Sequence, residues 1–194
     1  MINVGTLTNT GKLNITQQTS SSFSLSNNHG GTITNKEILI NNPGSTLLNS
    51  GTLNNEVGGK LTNNGTIHTL HGTFTNHGTL NGSGHIKGSY TDHGHTKPGN
   101  SAGVMTIEGD YFKRGGSKEI ELGGEFHGGG DHTLTQFDWL NVTGNVELAG
   151  ALDVLLVDSF ELAAGMSFEI LKFGGTLTGQ YDGLDEGRKV GSFS

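Results

Sequence analysis

The sequence predicts an all-β protein, a right-handed parallel β-solenoid with about 20 residues and three short strands per coil. Wider coils or a β cap are expected at its C-terminal end. Three observations predict it. A short unit (Gly, then Thr or Lys, then a single Leu, Ile or Phe, then usually Asn) keeps returning. No 3.6-residue apolar period runs beside it, and Thr, Asn and Gly are poor helix formers. The chain is also poor in apolar residues, 31% of 194, yet holds 34 glycines and only two prolines. Disordered chains are instead rich in charge, Pro, Gln or Ser, so order here has to come from repetition.

The unit reads GTLTN at Gly5, GKLNI at Gly11, GTITN at Gly31 and GTLNN at Gly51. It continues as GKLTN at Gly59, GTIHT at Gly65, GTFTN at Gly72, GTLNG at Gly78 and GHIKG at Gly84, with STLLN at Ser45 a relative. One apolar residue between polar ones marks a strand with one buried face. The apolar positions are Leu7, Leu13, Ile33, Leu47, Leu53, Leu61, Ile67, Phe74, Leu80 and Ile86; from Leu47 the steps are 6, 8, 6, 7, 6 and 6 residues. Three steps make a coil of three strands. Gly and Asn suit the corners because both tolerate positive φ. Asn at equivalent places in successive coils is expected to stack its amides in a ladder. Thr16 to Asn28, rich in Ser and Gln, fits the repeat worst and is expected to form a protruding or widened loop.

Near residue 90 the texture changes, dividing the chain into residues 1–90 and 91–194. The first part carries four basic and two acidic side chains, the second seven and sixteen, which together give the net charge of −7. Strands lengthen: Met105 and Ile107 alternate with Thr106 and Glu108, and Ile120 and Leu122 with Glu119 and Glu121. Leu152 to Val157 and Phe168 to Phe173 are apolar on both faces, so they must be covered. A solenoid end also needs closing, which suits wider coils or a cap here.

Composition excludes several classes. No run reaches the roughly 20 apolar residues of a membrane helix, and no basic-then-apolar secretory leader opens the chain. The acidic balance without a basic cluster argues against nucleic acid. The absence of cysteine removes disulfides, thiolate metal sites and thiol nucleophiles.

Residues Pro98-Gly99-Asn100-Ser101-Ala102-Gly103-Val104-Met105-Thr106-Ile107-Glu108-Gly109-Asp110-Tyr111 follow the pattern P-G-x-S-x-G-x-L-x-[IV]-x-G-[DN]-[YF] with Met at the Leu position. Further along come Glu121-Leu122-Gly123-Gly124, Phe137-Asp138-Trp139-Leu140-Asn141-Val142-Thr143-Gly144 and Gly150-Ala151-Leu152-Asp153-Val154. Ala164-Gly165-Met166-Ser167-Phe168-Glu169-Ile170-Leu171 and Tyr181-Asp182-Gly183-Leu184-Asp185-Glu186-Gly187 complete the series. Over residues 96–190 the chain resembles the β-helical segments of bacterial exported surface proteins, the autotransporter-like passengers and large secreted repeat adhesins. The resemblance implies a structural or adhesive module at the cell surface or outside the cell, and it brings no catalytic residues. Such proteins carry an export signal and an anchor, absent from these 194 residues, which therefore read as a piece of a longer exported protein.

Chemistry-bearing residues each have a plainer explanation. Glu108/Asp110 and Glu119/Glu121 are two apart, which would set each pair about 7 Å apart on one strand face, a spacing compatible with inverting glycoside hydrolysis. Alternation with buried Met105, Ile107, Ile120 and Leu122 explains the same residues as solvent-facing, and no enzyme is predicted. Asp92, His93 and His95 are locally metal-like, but zinc or nickel needs three or four ligands converging within about 2.1 Å of one point. His127 to His132 reads as a flexible loop whose Asp131 is a calcium candidate without the acidic spacing of a calcium loop. Histidines replacing Thr or Asn on a polar face is the simpler account, and no cofactor is predicted. Trp139 and Tyr111 are the candidates for a sugar platform if exposed, and core if buried. Thr-x-Thr pairs, as at Thr6/Thr8 and Thr32/Thr34, would suit an ice-binding face if repeated in register on every coil. Interruptions by Asn, His, Leu and Lys favour ordinary β-propensity.

The expected function is therefore a non-enzymatic extracellular structural or adhesive solenoid. A carbohydrate-binding or carbohydrate-cleaving β-helix and a self-assembling filament are the alternatives. Expected partners are surface glycans, matrix proteins or further copies stacked end to end or side by side, with no nucleic acid and no membrane insertion by this segment.

Overall fold

Each strand is too short to bury anything alone, so the apolar residue at its centre finds cover only when the chain coils back on itself. The computed structural model describes residues 1–17, 24–69, 71–128 and 134–184. The described residues form three parallel sheets of eight, eight and seven strands and no helix. The chain visits the three faces in rotation: Thr6–Asn9 lies on the second, Lys12–Ile15 on the third, and Leu25–Asn27 on the first. This is a right-handed parallel β-solenoid with three strands per coil.

Register gives the coil length. On the first face Leu47 lies beside Ile67 and Ile67 beside Ile86, steps of 20 and 19 residues. Farther on, Ile107 lies beside Val142 and Val142 beside Phe173, steps of 35 and 31, so the coils widen toward the C-terminal end. The third-face strands lengthen too, Ser117–Leu122 pairing with Ala151–Leu156 over six positions. Leu25–Asn27 of the poorly fitting Ser/Gln-rich stretch is a regular first-face strand, while residues 18–23 lie outside the described residues.

The repeat's apolar residues pile up inside. Ile33, Leu47, Leu53, Leu61, Ile67, Leu80 and Ile86 are completely buried and Phe74 nearly so; Leu7 and Leu13, in the first coil, are covered from one side only. Full burial of each such side chain stabilises by about 1.5–3 kcal/mol. In the wide coils a second cluster forms around Val104, Ile120, Leu122, Phe137 and Trp139, flanked by Leu152, Val154, Phe160 and Phe168. The two-sided apolar stretches are only partly covered: Leu152 and Val154 pack on this cluster, but Leu155, Leu156 and Phe173 stay exposed in the last described coil.

Asparagine ladders line the corners, running in one direction. Asn9, Asn35, Asn55 and Asn76 each donate an amide N–H to the side-chain oxygen one coil onward, at 2.7 Å throughout. The other amide hydrogen goes to the backbone, as from Asn55 to the Thr79 carbonyl at 3.0 Å. A second ladder runs from Asn3 through Asn27 and Asn49 to the Thr69 hydroxyl, and a third joins Asn41 to Asn63. A buried amide costs several kcal/mol if left unpaired, and the ladders remove that cost at their inner rungs, whereas the Asn41 oxygen at the start of the third ladder is left without a partner.

The repeat glycines serve a purpose other than the one expected. Gly51, Gly65, Gly72 and Gly78 have no positive φ. A Cβ on Gly72 would instead stand 2.5 Å from the Gly51 carbonyl oxygen and 2.7 Å from that of Asn49, in the coil beneath. The coils approach so closely at the corners that hydrogen is the only side chain that fits. Positive φ falls on other glycines, such as Gly58 (φ 86°), which turns the chain just before Gly59.

Candidate functional site

Where the narrow coils give way to wide ones, the interior changes chemistry. Alternation along Tyr90–Asp92, Tyr111–Lys113 and Ser117–Leu122 turns Asp92, Lys113 and Lys118 inward, and all three are fully buried. Asp92 occupies the ladder position after Asn76, and Lys113 pairs with it in register on the next coil. An ionised carboxylate only accepts, so it suits the end of a ladder whose N–H groups all point toward it. Its Oδ1 accepts from Asn76 Nδ2 at 2.7 Å and Gly94 N at 3.1 Å. Oδ2 accepts from Thr96 Oγ1 at 2.6 Å, Tyr111 OH at 3.2 Å and Lys113 Nζ at 2.7 Å. Lys113 Nζ spends its other two hydrogens on the Gly94 and Ser117 carbonyls, at 2.7 and 2.9 Å. Burial lowers the Lys113 ammonium against the opposing attraction of Asp92.

Phe74, Tyr90 and Tyr111 stack beside this centre with ring centroids 5.2 and 5.1 Å apart. Burial, with the Asp92 charge adding to it, pushes both phenols well above their ordinary range; for Tyr111 the neighbouring Tyr90 is the second cause. Burial likewise raises Tyr181.

Two more buried titratable side chains, Lys118 and Asp138, lie farther along. Lys118 Nζ donates to the Ile170 carbonyl at 3.0 Å, and burial pulls its ammonium down to about 7 against the attraction of Asp138. Asp138 accepts from Gly103 N at 2.8 Å and Glu121 N at 3.0 Å, yet burial pushes its carboxyl up to about 7. Asp138 therefore pins the end of the Pro98–Gly103 loop to the strand Ser117–Leu122. Beside them is a recess of about 90 Å³ lined by Lys97, Pro98, Ser101, Glu121 and Asp138. Sites that enclose a small ligand are larger, roughly 300–1,000 Å³.

The residues singled out from the sequence are dispersed. Tyr111 is fully buried and Trp139 3% exposed, so neither offers a ring face to a sugar. Trp139 packs on His127, 4.3 Å between ring centroids, and His127 also meets Phe137. Glu108 ends the strand Val104–Glu108 and faces His85 and Lys87 at 3.5 and 3.6 Å. Asp110 lies beyond that strand and accepts from Asn145 N at 2.7 Å, so the expected pairing of Glu108 with Asp110 on one strand is not formed. Glu119 and Glu121 do share an outward face, but Glu119 is held by Lys97 and His95 while Glu121 lines the recess.

Asp92, His93 and His95 do not converge either. Asp92 points inward, His93 stacks on His77 at 4.9 Å, and His95 Nδ1 meets Ser117 Oγ at 2.5 Å. Asp131 and His132 lie outside the described residues. Among the described residues no three His, Asp or Glu side chains gather for a metal ion. The Thr-x-Thr pairs are better ordered than the interruptions implied. Thr6/Thr8, Thr32/Thr34, Thr52/Asn54 and Thr73/Thr75 align on the second face, until Phe112 and Glu147 follow Thr91.

Sequence reasoning missed Lys113, Lys118 and Asp138. The signal for Lys118 was present, since it stands in strict alternation with Ile120 and Leu122. Comparison of the chain with protein-family models, curated proteins and solved structures finds no match.

Proposed function

We propose that the chain is a non-enzymatic structural and adhesive rod, a β-solenoid module of a larger bacterial surface or secreted protein that meets surface glycans or matrix proteins through its flat polar faces. The continuous in-register stack supports this reading most: the Asn9–Asn76 ladder and the Asp92–Lys113 ion pair that ends it hold coil to coil through buried polar contacts. Several outward charges pair across neighbouring coils, as Arg114 with Glu147 and Lys97 with Glu119 do. Such a rod transmits load along its axis through backbone ladders, and its narrow coils join strands by short turns, as between Thr32–Asn35 and Ile38–Asn41. The expected result is slow proteolysis, retention on a glycan or matrix-protein array, and no saccharide released from a polysaccharide panel. Release of product that is abolished by Glu121→Gln, at the recess, would overturn it.

End-to-end self-assembly is the second reading, favoured by the first coil. Ile2–Asn3, Thr6–Asn9 and Lys12–Ile15 are the outermost strands of their sheets, and Met1, Ile2 and Val4 are 61–73% exposed around them. In a chain that starts at this coil, such a strand edge with apolar flanks is a template for pairing with a second copy. Sedimentation velocity over a concentration series should then show growing assemblies that shrink with Ile2→Lys. Strict monomers at every concentration would rule this reading out.

A further inference from the structure

We propose that Asp92 and Lys113 join covalently, their side chains condensing into an amide that staples one coil to the next. The inference concerns the interior and stands apart from what the outer faces bind.

The geometry supplies what amide formation needs. Both side chains are fully buried and in adjacent coils, with Nζ and Oδ2 2.7 Å apart. Fixing two reactants this way replaces a bimolecular encounter, an advantage equivalent to effective molarities of roughly 10⁵–10⁸ M. Burial lowers the Lys113 ammonium toward the neutral amine, which is the nucleophilic form. The Gly94 and Ser117 carbonyls accept two N–H groups of Lys113, so once the third proton has left, the lone pair faces the Asp92 carboxyl.

The step balances without any outside reagent. Lys113 Nζ passes one proton to Asp92 Oδ2, giving an amine and a carboxylic acid. The amine lone pair forms the N–Cγ bond while the carbonyl electrons move onto Oδ1. Asn76 Nδ2 and Gly94 N already donate to that oxygen and would stabilise the charge it gains. A second proton passes from nitrogen to Oδ2, its direct neighbour at 2.7 Å, while the Thr96 hydroxyl, donating to the same oxygen at 2.6 Å, eases its departure. The Cγ–Oδ2 bond then breaks, Oδ2 leaves as water, and the carbonyl re-forms. Oδ1 keeps its two donors, so the product is one more amide rung on the Asn9–Asn76 ladder.

Intact-mass measurement of the purified, folded chain tests this. The wild type should be lighter than its sequence mass by one water, and a digest should yield a branched peptide joining the segments around Asp92 and Lys113. Asp92→Ala and Lys113→Arg should each restore the full mass, and Thr96→Val should slow the loss in freshly made protein while Thr96→Ser preserves it. Full sequence mass in aged, folded wild-type protein overturns the proposal, and that reading does not depend on any variant folding. A loss of water mapped elsewhere, such as a succinimide at Asp182-Gly183, overturns it equally.

Discussion

Gly72→Ala should unfold the rod or destabilise it by at least about 4 kcal/mol, while Gly11→Ala, at the same place in the repeat, should stabilise it by about 0.4–1 kcal/mol. Both glycines open a unit of the form Gly, Thr or Lys, apolar, and neither has positive φ. They differ in what lies beneath. A methyl group added at Gly72 would sit against two backbone carbonyl oxygens and the Asn49 amide, at 2.5 to 2.8 Å, and backbone cannot step aside without breaking the sheet. Around Gly11 nothing lies within 4 Å, because it belongs to the first coil, so alanine there only removes freedom from the unfolded chain. Urea unfolding of the two variants beside wild type measures the contrast. Equal effects of the two substitutions would mean that the coils do not approach as closely as the ladders require.

That contrast also shows what was legible beforehand. The fold could be read because each unit carries one apolar residue at a strand centre, and Leu53, Leu61 and Ile67 are indeed in the core. The reason for the glycines could not be read, because φ is a local property whereas the Gly72–Gly51 approach joins residues a full coil apart. The Thr columns stayed hidden for a related reason. Coil steps on the second face vary, Leu7 lying beside Ile33 but Ile33 beside Leu53, so no fixed period aligns Thr8 with Thr34 and Thr75.

The candidate site was less legible still. Sequence reasoning treats Lys and Asp as outward, and for Glu119 and Glu121 that reading matches the alternation observed. Lys118 occupies an inward phase of that same strand, where residue type and periodicity conflict, and periodicity wins. Asp92 was visible only as part of an apparent metal cluster with His93 and His95. Its actual partner, Lys113, is brought to it by register, a quantity that depends on every loop length between them.

The conflict at Lys118 and Asp138 should appear as a stability minimum near pH 7. Asp138, its carboxyl pushed by burial from 3.8 to about 7, keeps its proton in the folded chain where the unfolded chain has already released it. The folded state then binds more protons than the unfolded, so stability falls as pH rises from the ordinary carboxylate range toward 7. Lys118, pulled by burial from 10.5 to about 7, loses its proton in the folded chain while the unfolded chain retains one. From pH 7 upward the unfolded state binds more protons, so stability rises again toward the ordinary lysine range. Each limb spans about three pH units, an upper limit of about 4 kcal/mol; mutual attraction of the two charges near neutrality makes the observed dip shallower. Lys118→Met should remove the alkaline limb and raise stability most at and below pH 7. Asp138→Asn should instead remove the acid limb but lower stability overall, because its amide nitrogen cannot accept from one of the two backbone N–H groups that Asp138 holds. Urea midpoints from pH 4 to 10 for the three proteins decide the matter: a wild-type profile peaking at neutrality, with both variants running parallel to it, would show that these buried groups remain charged throughout.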